Sequence, residues 1–111
     1  LQAVTRDFAF LVPAEMPAGD LVRAIKSADK ANIVSVRLFD DFRGRGVPQG
    51  QKSLAIEITL QPGEKSYAEH DLLAIHQRVF QAGQKLGAVL RTQGSAAGTL
   101  ELAGSAKGKV G

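Results

Sequence analysis

Residues 52–60 alternate, from Ser53 onward, between small or polar and apolar side chains, and this segment constrains the fold more than any other. One side carries Leu54, Ile56, Ile58 and Leu60, and the other carries Ser53, Ala55, Glu57 and Thr59. Successive side chains of a strand point to opposite faces, so the period of two predicts a strand with one buried face. Such a strand needs a layer packed against its apolar side, and its other side can remain open.

Five further segments surround this strand. An apolar run at residues 8–12 stops at Pro13 and predicts a buried strand, and residues 33–40 alternate, with Val34, Val36 and Leu38 expected on the core side. Helices are predicted at residues 18–30 and 68–86, and a last strand at residues 88–91 follows Gly87. The apolar stripe of the second helix consists of Leu72, Ile75, Val79, Ala82 and Leu86, widened by Phe80.

The resulting order is βαββαβ, which predicts an α+β ferredoxin-like sandwich: a four-stranded antiparallel sheet with two helices on one face. The other face of the sheet is then uncovered. By alternation this open face carries Ala9, Leu11, Ser35, Arg37, Phe39, Ser53, Ala55 and Thr59. A bare face of small, polar and partly apolar residues is a candidate binding surface.

Composition excludes several classes of function. There is no cysteine, which rules out disulfide and thiolate-metal frameworks, and no apolar run long enough for a membrane span or a signal peptide. His70 and His76 lie six residues apart on one helix, which is not one-face spacing, so no metal site is predicted. No catalytic residues are predicted either. Because the chain begins at Leu1 and its one methionine is Met16, we expect it to be a piece of a longer protein.

The hairpin at residues 38–54 brings an aromatic ring, carboxylates and cations together. Aromatic rings stack on bases, cations contact phosphates, and a carboxylate accepts hydrogen bonds from base amino or imino groups. The net charge of +3 is a weak indication in the same direction. The alternative interpretation is a solvated loop whose cations only keep the edge soluble, and the residues alone leave both open.

Residues 92–111 differ in composition from the rest of the chain. Eleven of these twenty residues are Gly, Ala or Ser, which is typical of a flexible tail. An added short edge strand at residues 99–103 is the alternative. The predicted division is therefore a folded domain at residues 1–91 followed by a Gly/Ala/Ser-rich tail at residues 92–111.

Three blocks of the sequence resemble a known family. Residues 5–12 are similar to an opening "RD-apolar-A" strand, residues 38–55 to an "LFD-x-Y-x-G…G-x-K-S-L-A" hairpin, and residues 87–91 to a closing "G-A-x-L-R". Together they resemble the ferredoxin-fold anticodon-binding domain at the C-terminus of the phenylalanyl-tRNA synthetase β subunit. The resemblance covers residues 1–91.

This resemblance implies a non-catalytic, cytoplasmic domain that binds the anticodon stem-loop of phenylalanine tRNA and has no cofactor of its own. It implies a parent α2β2 ligase, with the α subunit as partner, that uses ATP and magnesium elsewhere. By motif position Phe42, where the family usually has Tyr, would stack on an anticodon base, and Asp40 would accept a hydrogen bond from it. Ala9 would let the base approach the sheet. From charge and location we add Arg6, Arg43, Arg45 and Lys52 as phosphate contacts.

Asp40 poses a problem of parity. Strict alternation places it on the core side with Leu38, so the implied role requires a bulge or a strand end near Asp40. Two other functions remain open. One is a different ferredoxin-like RNA-binding module, although residues 52–60 lack the aromatics that such domains carry on the third strand. The other is a regulatory or subunit-assembly domain without nucleic acid, favoured by the modest charge and by Glu57 on the open face.

Overall fold

The computed structural model describes residues 3–63, 66–95 and 98–101, with the backbone alone at 92–95 and 98–101. The elements follow the predicted order, with one strand added. They are β1 (Val4–Pro13), α1 (Ala18–Ala28), β2 (Ile33–Phe42), β3 (Gln51–Leu60), α2 (Glu69–Lys85), β4 (Val89–Ser95) and β5 (Gly98–Glu101). The sheet is antiparallel throughout, in the order β2-β3-β1-β4-β5.

The core lies between one face of the sheet and the two helices, as the alternation of β3 predicts. β3 contributes Leu54, Ile56, Ile58 and Leu60, and the neighbouring β1 contributes Phe8, Phe10 and Val12. The helices close this layer with Leu21 and Ile25 from α1 and with Ile75 and Val79 from α2. The predicted ferredoxin-like arrangement, with both helices on one face of the sheet, is confirmed.

Three apolar residues expected in the core lie outside it. Val34 is 40% exposed because it is an extra residue in β2, between the pairs Ile33–Leu60 and Ser35–Thr59. Phe80 is 39% exposed, and Leu86 at the end of α2 is also exposed. The buried face of α2 includes Gly83 instead of a larger side chain, and Gly83 lies directly against the ring of Phe10.

The ends of the helices are fixed by local hydrogen bonds. At the start of α2 the carboxylate of Asp71 accepts a hydrogen bond from the Ala68 backbone N–H at 2.9 Å. α2 ends at Lys85, and the predicted stop Gly87 follows two residues later with a φ of +81°, which is unfavourable for other residues. The Ala88 N–H donates to the Gly83 carbonyl at 2.9 Å, which closes the last turn.

Asp29 connects the end of α1 to α2. Its buried carboxylate accepts hydrogen bonds from the Asn32 side chain at 2.9 Å and from the Arg78 guanidinium of α2 at 2.6 Å. Burial alone would raise the pKa of Asp29, but these hydrogen bonds outweigh it and hold the pKa below its usual value.

β5 lies within the segment for which the sequence left two interpretations. It pairs antiparallel with β4, with Thr92 opposite Glu101 and Ser95 opposite Gly98. The alternative of a short edge strand at residues 99–103 thus overlaps β5 at residues 99–101, and residues 102–111 lie outside the described residues.

Candidate nucleic-acid interface

A bulge in β2 moves Asp40 from the core side, where regular alternation would place it, to the open face. The register pairs Leu38 with Ile56 and Asp40 with Ala55, so Phe39 is one residue more than regular pairing allows. Because Ile56 faces the core and Ala55 faces away from it, Asp40 lies on the open face. Phe42, two residues further, pairs with Ser53 and lies on the same face.

Two neighbouring rows of residues cross the open face at this point. The first row consists of Asp40, Ala55 and Ala9, and continues to the backbone of Thr92. The second consists of Phe42, Ser53, Leu11 and Val89. The two alanines leave a shallow floor next to the Asp40 carboxylate. In the second row Phe42 and Val89 are exposed apolar side chains, with 42% of Phe42 exposed, whereas Ser53 is buried although it was predicted on the open face.

The connection between β2 and β3 lies next to Phe42. Three glycines with positive φ shape it, Gly44, Gly46 and Gly50, and the Gly50 carbonyl accepts a hydrogen bond from the Ala14 N–H at 2.9 Å. Arg43 and Arg45 are exposed, and the Arg43 Nε lies 3.6 Å from the Asp41 carboxylate. Two of the four predicted phosphate contacts therefore flank the exposed ring.

The other two predicted phosphate contacts do not lie on this face. Lys52 pairs with the buried Val12 on the helix-facing side of the sheet and is only 5% exposed. Arg6 pairs with the buried Ile58, and its charge adds to the effect of burial in lowering the pKa of His76 on α2. Period-two alternation places both residues on the opposite side of the sheet to Ser53 and Ala55. Their expected location beside the other two cations is therefore corrected, and phosphate contact by Arg6 and Lys52 stays a prediction.

Arg91 belongs to the surface although it was not among the predicted site residues. The register of β1 with β4 shifts between Phe10 and Ala9, which leaves Arg91 as an extra residue in β4. Its Nη2 lies 3.5 Å from the Gly46 carbonyl, so the side chain reaches the β2–β3 connection. The sequence signal was the closing block at residues 87–91, but alternation alone does not reveal where a bulged residue points.

A third row on the open face is charged. It contains Arg37, Glu57 and Asp7, and ends at the backbone of Gly94. Arg37 donates a hydrogen bond to Glu57 at 3.3 Å, and its guanidinium lies 5.5 Å from the centroid of the exposed Phe39 ring. A cation at this distance from an aromatic ring attracts it modestly. Arg37 and Phe39 thus form a second exposed platform beside Asp40.

Asp7 is the least satisfied polar group of this row. Its Oδ1 is buried and has no hydrogen-bond partner among the described residues. Burial and the nearby Glu57 carboxylate raise the pKa of Asp7, and the Arg37 charge only partly opposes them. A buried acceptor without a partner costs about 1–3 kcal/mol. Sequence alternation places Asp7 on the open face with Ala9, but its missing partner is visible only in the structure.

The described residues show no grouping of three or more His, Asp or Glu side chains that could hold a metal ion. In the same part of the chain, neither helix has the length and hydropathy needed to cross a bilayer. His70 is exposed, and His76 is at the edge of the core, where its ring meets that of Phe8 edge-on with the two centroids 5.3 Å apart.

Comparison with known proteins identifies a family and several relatives. The model of the ferredoxin-fold anticodon binding domain matches residues 1–91. The chain is 67% identical over 91 residues to the phenylalanine–tRNA ligase beta subunit of Novosphingobium aromaticivorans, and 50% identical to that of Zymomonas mobilis. The beta subunit of Bradyrhizobium diazoefficiens is 42% identical. These matches cover 81–82% of the chain and 11–12% of each relative, so the chain spans about a ninth of their length.

Proposed function

We propose, since the chain belongs to the family of ferredoxin-fold anticodon-binding domains, that it binds the anticodon stem-loop of phenylalanine tRNA. It does so as a non-catalytic, cytoplasmic domain of a phenylalanine–tRNA ligase β subunit. The ligase would use ATP and magnesium at a separate site and assemble with its α subunit as α2β2. The domain's part in this reaction is to hold the tRNA so that its acceptor end meets the catalytic site.

The observation that supports this most is the pairing of an exposed ring with a carboxylate over a floor of alanines. A base that stacks on Phe42 has its edge toward Asp40, whose carboxylate accepts a hydrogen bond from an amino or imino group. Ala9 and Ala55 leave the space that a flat ring needs to approach the sheet. Phe42 supplies stacking area without a hydroxyl, so recognition at this base depends on Asp40.

The cations around this pair suit the backbone of a single-stranded loop. Arg43 and Arg45 lie on the connection next to Phe42, and Arg91 reaches it from β4. Phosphate contacts position a nucleic acid and make its affinity depend on salt, whereas the base contacts specify it. We therefore expect the arginines to set the overall affinity, and Asp40 with Phe42 to set the preference for one anticodon.

The test is binding of the 111-residue chain to a fluorescently labelled anticodon stem-loop of phenylalanine tRNA, followed by anisotropy. We expect Phe42→Ala to weaken binding by about 1–3 kcal/mol, or roughly 5- to 150-fold, because base–aromatic stacking is lost. Phe42→Tyr should retain the affinity. Phe80→Ala is the matched control, since it removes a ring of similar exposure, 39% against 42%, from α2 on the far side of the sheet.

Equal binding of Phe42→Ala and wild type would contradict the assignment of Phe42. A stem-loop with an unrelated anticodon should bind more weakly than the phenylalanine arm. Equal affinity for both arms would instead indicate a general RNA-binding module. No binding to either arm would favour a regulatory or assembly domain.

A further inference from the structure

Asp7 on the open face has a buried carboxylate oxygen, Oδ1, without a hydrogen-bond donor among the described residues. The carboxylate directly opposite Asp7 on β3 belongs to Glu57. The cation of this row, Arg37, hydrogen-bonds Glu57 at 3.3 Å from the far side. On β4 the register partner of Asp7 is Gly94, which brings no side chain.

Asp7 and Asp40 are too far apart to bind the same base. Asp40 and Ala9 lie in one row, two strands apart, and Asp7 is two residues along β1 from Ala9. With strands about 4.8 Å apart and a rise of about 3.4 Å per residue, the Cα atoms of Asp7 and Asp40 are about 12 Å apart. A ligand that engages both carboxylates must therefore extend across the face, as consecutive nucleotides of a loop do.

We propose that Asp7 is a second base-recognition residue of this face, accepting a hydrogen bond from the exocyclic amino group of a nucleotide adjacent to the one bound at Phe42 and Asp40. The inference rests on the proposed function, since it assigns another nucleotide to the same surface. The Oδ1 atom is buried, so the base is bound by the other carboxylate oxygen, Oδ2, which is not among the buried atoms without a partner. The Arg37–Phe39 pair next to it offers this second base a flat apolar and cationic surface.

The class of group recognised follows from the chemistry of the carboxylate. An ionised carboxylate only accepts hydrogen bonds, so its partner on the RNA must be a donor. Exocyclic amino groups of adenine, cytosine and guanine are such donors, and hydrogen bonds to a charged acceptor are about twice as strong as neutral ones. A donor aimed at Asp7 also relieves its unfavourable position beside Glu57.

The direction in which RNA affinity changes when Asp7 is removed distinguishes base recognition from general charge repulsion. Removal of a negative charge from a surface that faces RNA should strengthen binding slightly, because RNA is a polyanion. If Asp7 accepts a hydrogen bond from a base, its removal weakens binding instead. Asp7→Asn keeps the shape and a neutral acceptor, whereas Asp7→Leu keeps a similar shape without any acceptor.

The experiment measures the affinity of wild type, Asp7→Asn and Asp7→Leu for the phenylalanine anticodon stem-loop. It also uses loops in which each anticodon base is replaced by its analogue lacking the exocyclic amino group. We expect about a tenfold loss for Asp7→Leu, a smaller loss for Asp7→Asn, and one analogue loop that wild type binds about tenfold more weakly but Asp7→Leu does not distinguish. Asp20→Asn is the control, because it removes an exposed carboxylate on α1. Circular dichroism checks that each variant is folded.

The outcomes for Asp7 and for the proposed function are distinguishable. If wild type binds the stem-loop and Phe42→Ala weakens it, but the Asp7 variants bind as tightly as Asp20→Asn, the inference about Asp7 is wrong and the proposed function stands. The inference about Asp7 is also wrong if the losses of binding free energy from Asp7→Leu and from each base analogue simply add. Two groups in contact show coupling, so one of these pairs must lose less than the sum. If wild type does not bind the stem-loop, both proposals fail together.

Discussion

Substitution of Gly83 by alanine tests how closely α2 packs on the sheet. A Cβ atom built on Gly83 would lie 2.6 Å from Cε1 of Phe10 and 3.2 Å from its Cδ1 and Cζ. Carbon atoms pack best at about 3.5–4.0 Å, so about 1 Å of movement is required. The ring of Phe10 is fully buried, and it therefore has no free volume into which it can turn.

The magnitude follows from two opposing contributions. Overpacking a core by one methyl typically costs about 1–3 kcal/mol, whereas replacing glycine by alanine inside a helix favours folding by about 1 kcal/mol. With a buried ring in the way we expect the upper part of that range, and therefore a net loss of about 1–2 kcal/mol. For a domain of this size this lowers the Tm by about 4–16 °C.

Thermal and urea unfolding, followed by circular dichroism, measure this loss. Gly19→Ala is the control, because a Cβ there meets only the exposed end of the Arg23 side chain, and it should leave stability unchanged or raise it by up to about 1 kcal/mol. A second Phe10→Leu substitution should cost less in the Gly83→Ala background than in wild type. A Gly83→Ala domain as stable as wild type, or the absence of coupling with Phe10, would show that the reasoning is wrong.

Two further predictions concern stability. Burial, and to a lesser extent the Arg6 charge, lowers the pKa of His76, so the unfolded state takes up its proton first as the pH falls below about 6.5. The free energy of unfolding should therefore decrease with falling pH in this range, and His76→Leu should reduce that dependence more than His70→Leu; equal pH profiles in urea titrations would contradict it. Arg78→Ala leaves the buried Asp29 with Asn32 alone and should cost about 1–3 kcal/mol at neutral pH. In the Asp29→Asn background the same change should cost less, and an equal cost in both backgrounds would exclude the ion pair as its cause.

The order and type of the elements are predictable from the sequence because burial imposes a period. β3 is buried on one side along its length, so its alternation gives both its position and its face. The chain leaves α2 through a positive φ at Gly87, just after the helix, and this requirement is visible in the sequence as a glycine. In each case one residue type or one period has a single physical cause.

The site is less predictable because it depends on departures from that period. Val34, Phe39 and Arg91 are extra residues in their strands, and each shifts the following side chains relative to the partner strand. The sequence required an irregularity near Asp40 for its role, but alternation does not specify which residue is extra. For Lys52 the error was the reverse, because regular alternation applied and was not used. Its charge and its position next to a loop suggested exposure, whereas its register places it on the helix-facing side of the sheet.

The two bulges of β2 also bear on how the domain avoids self-association. β2 is an outer strand of the sheet and carries exposed apolar side chains at Val34, Phe39 and Phe42. A long, flat outer strand of this composition is a template for another chain to add to, as in aggregates and amyloid. Each bulge interrupts the regular row of N–H and C=O groups and increases the local twist. The irregularity that brings Asp40 to the open face therefore also protects an apolar edge against polymerisation.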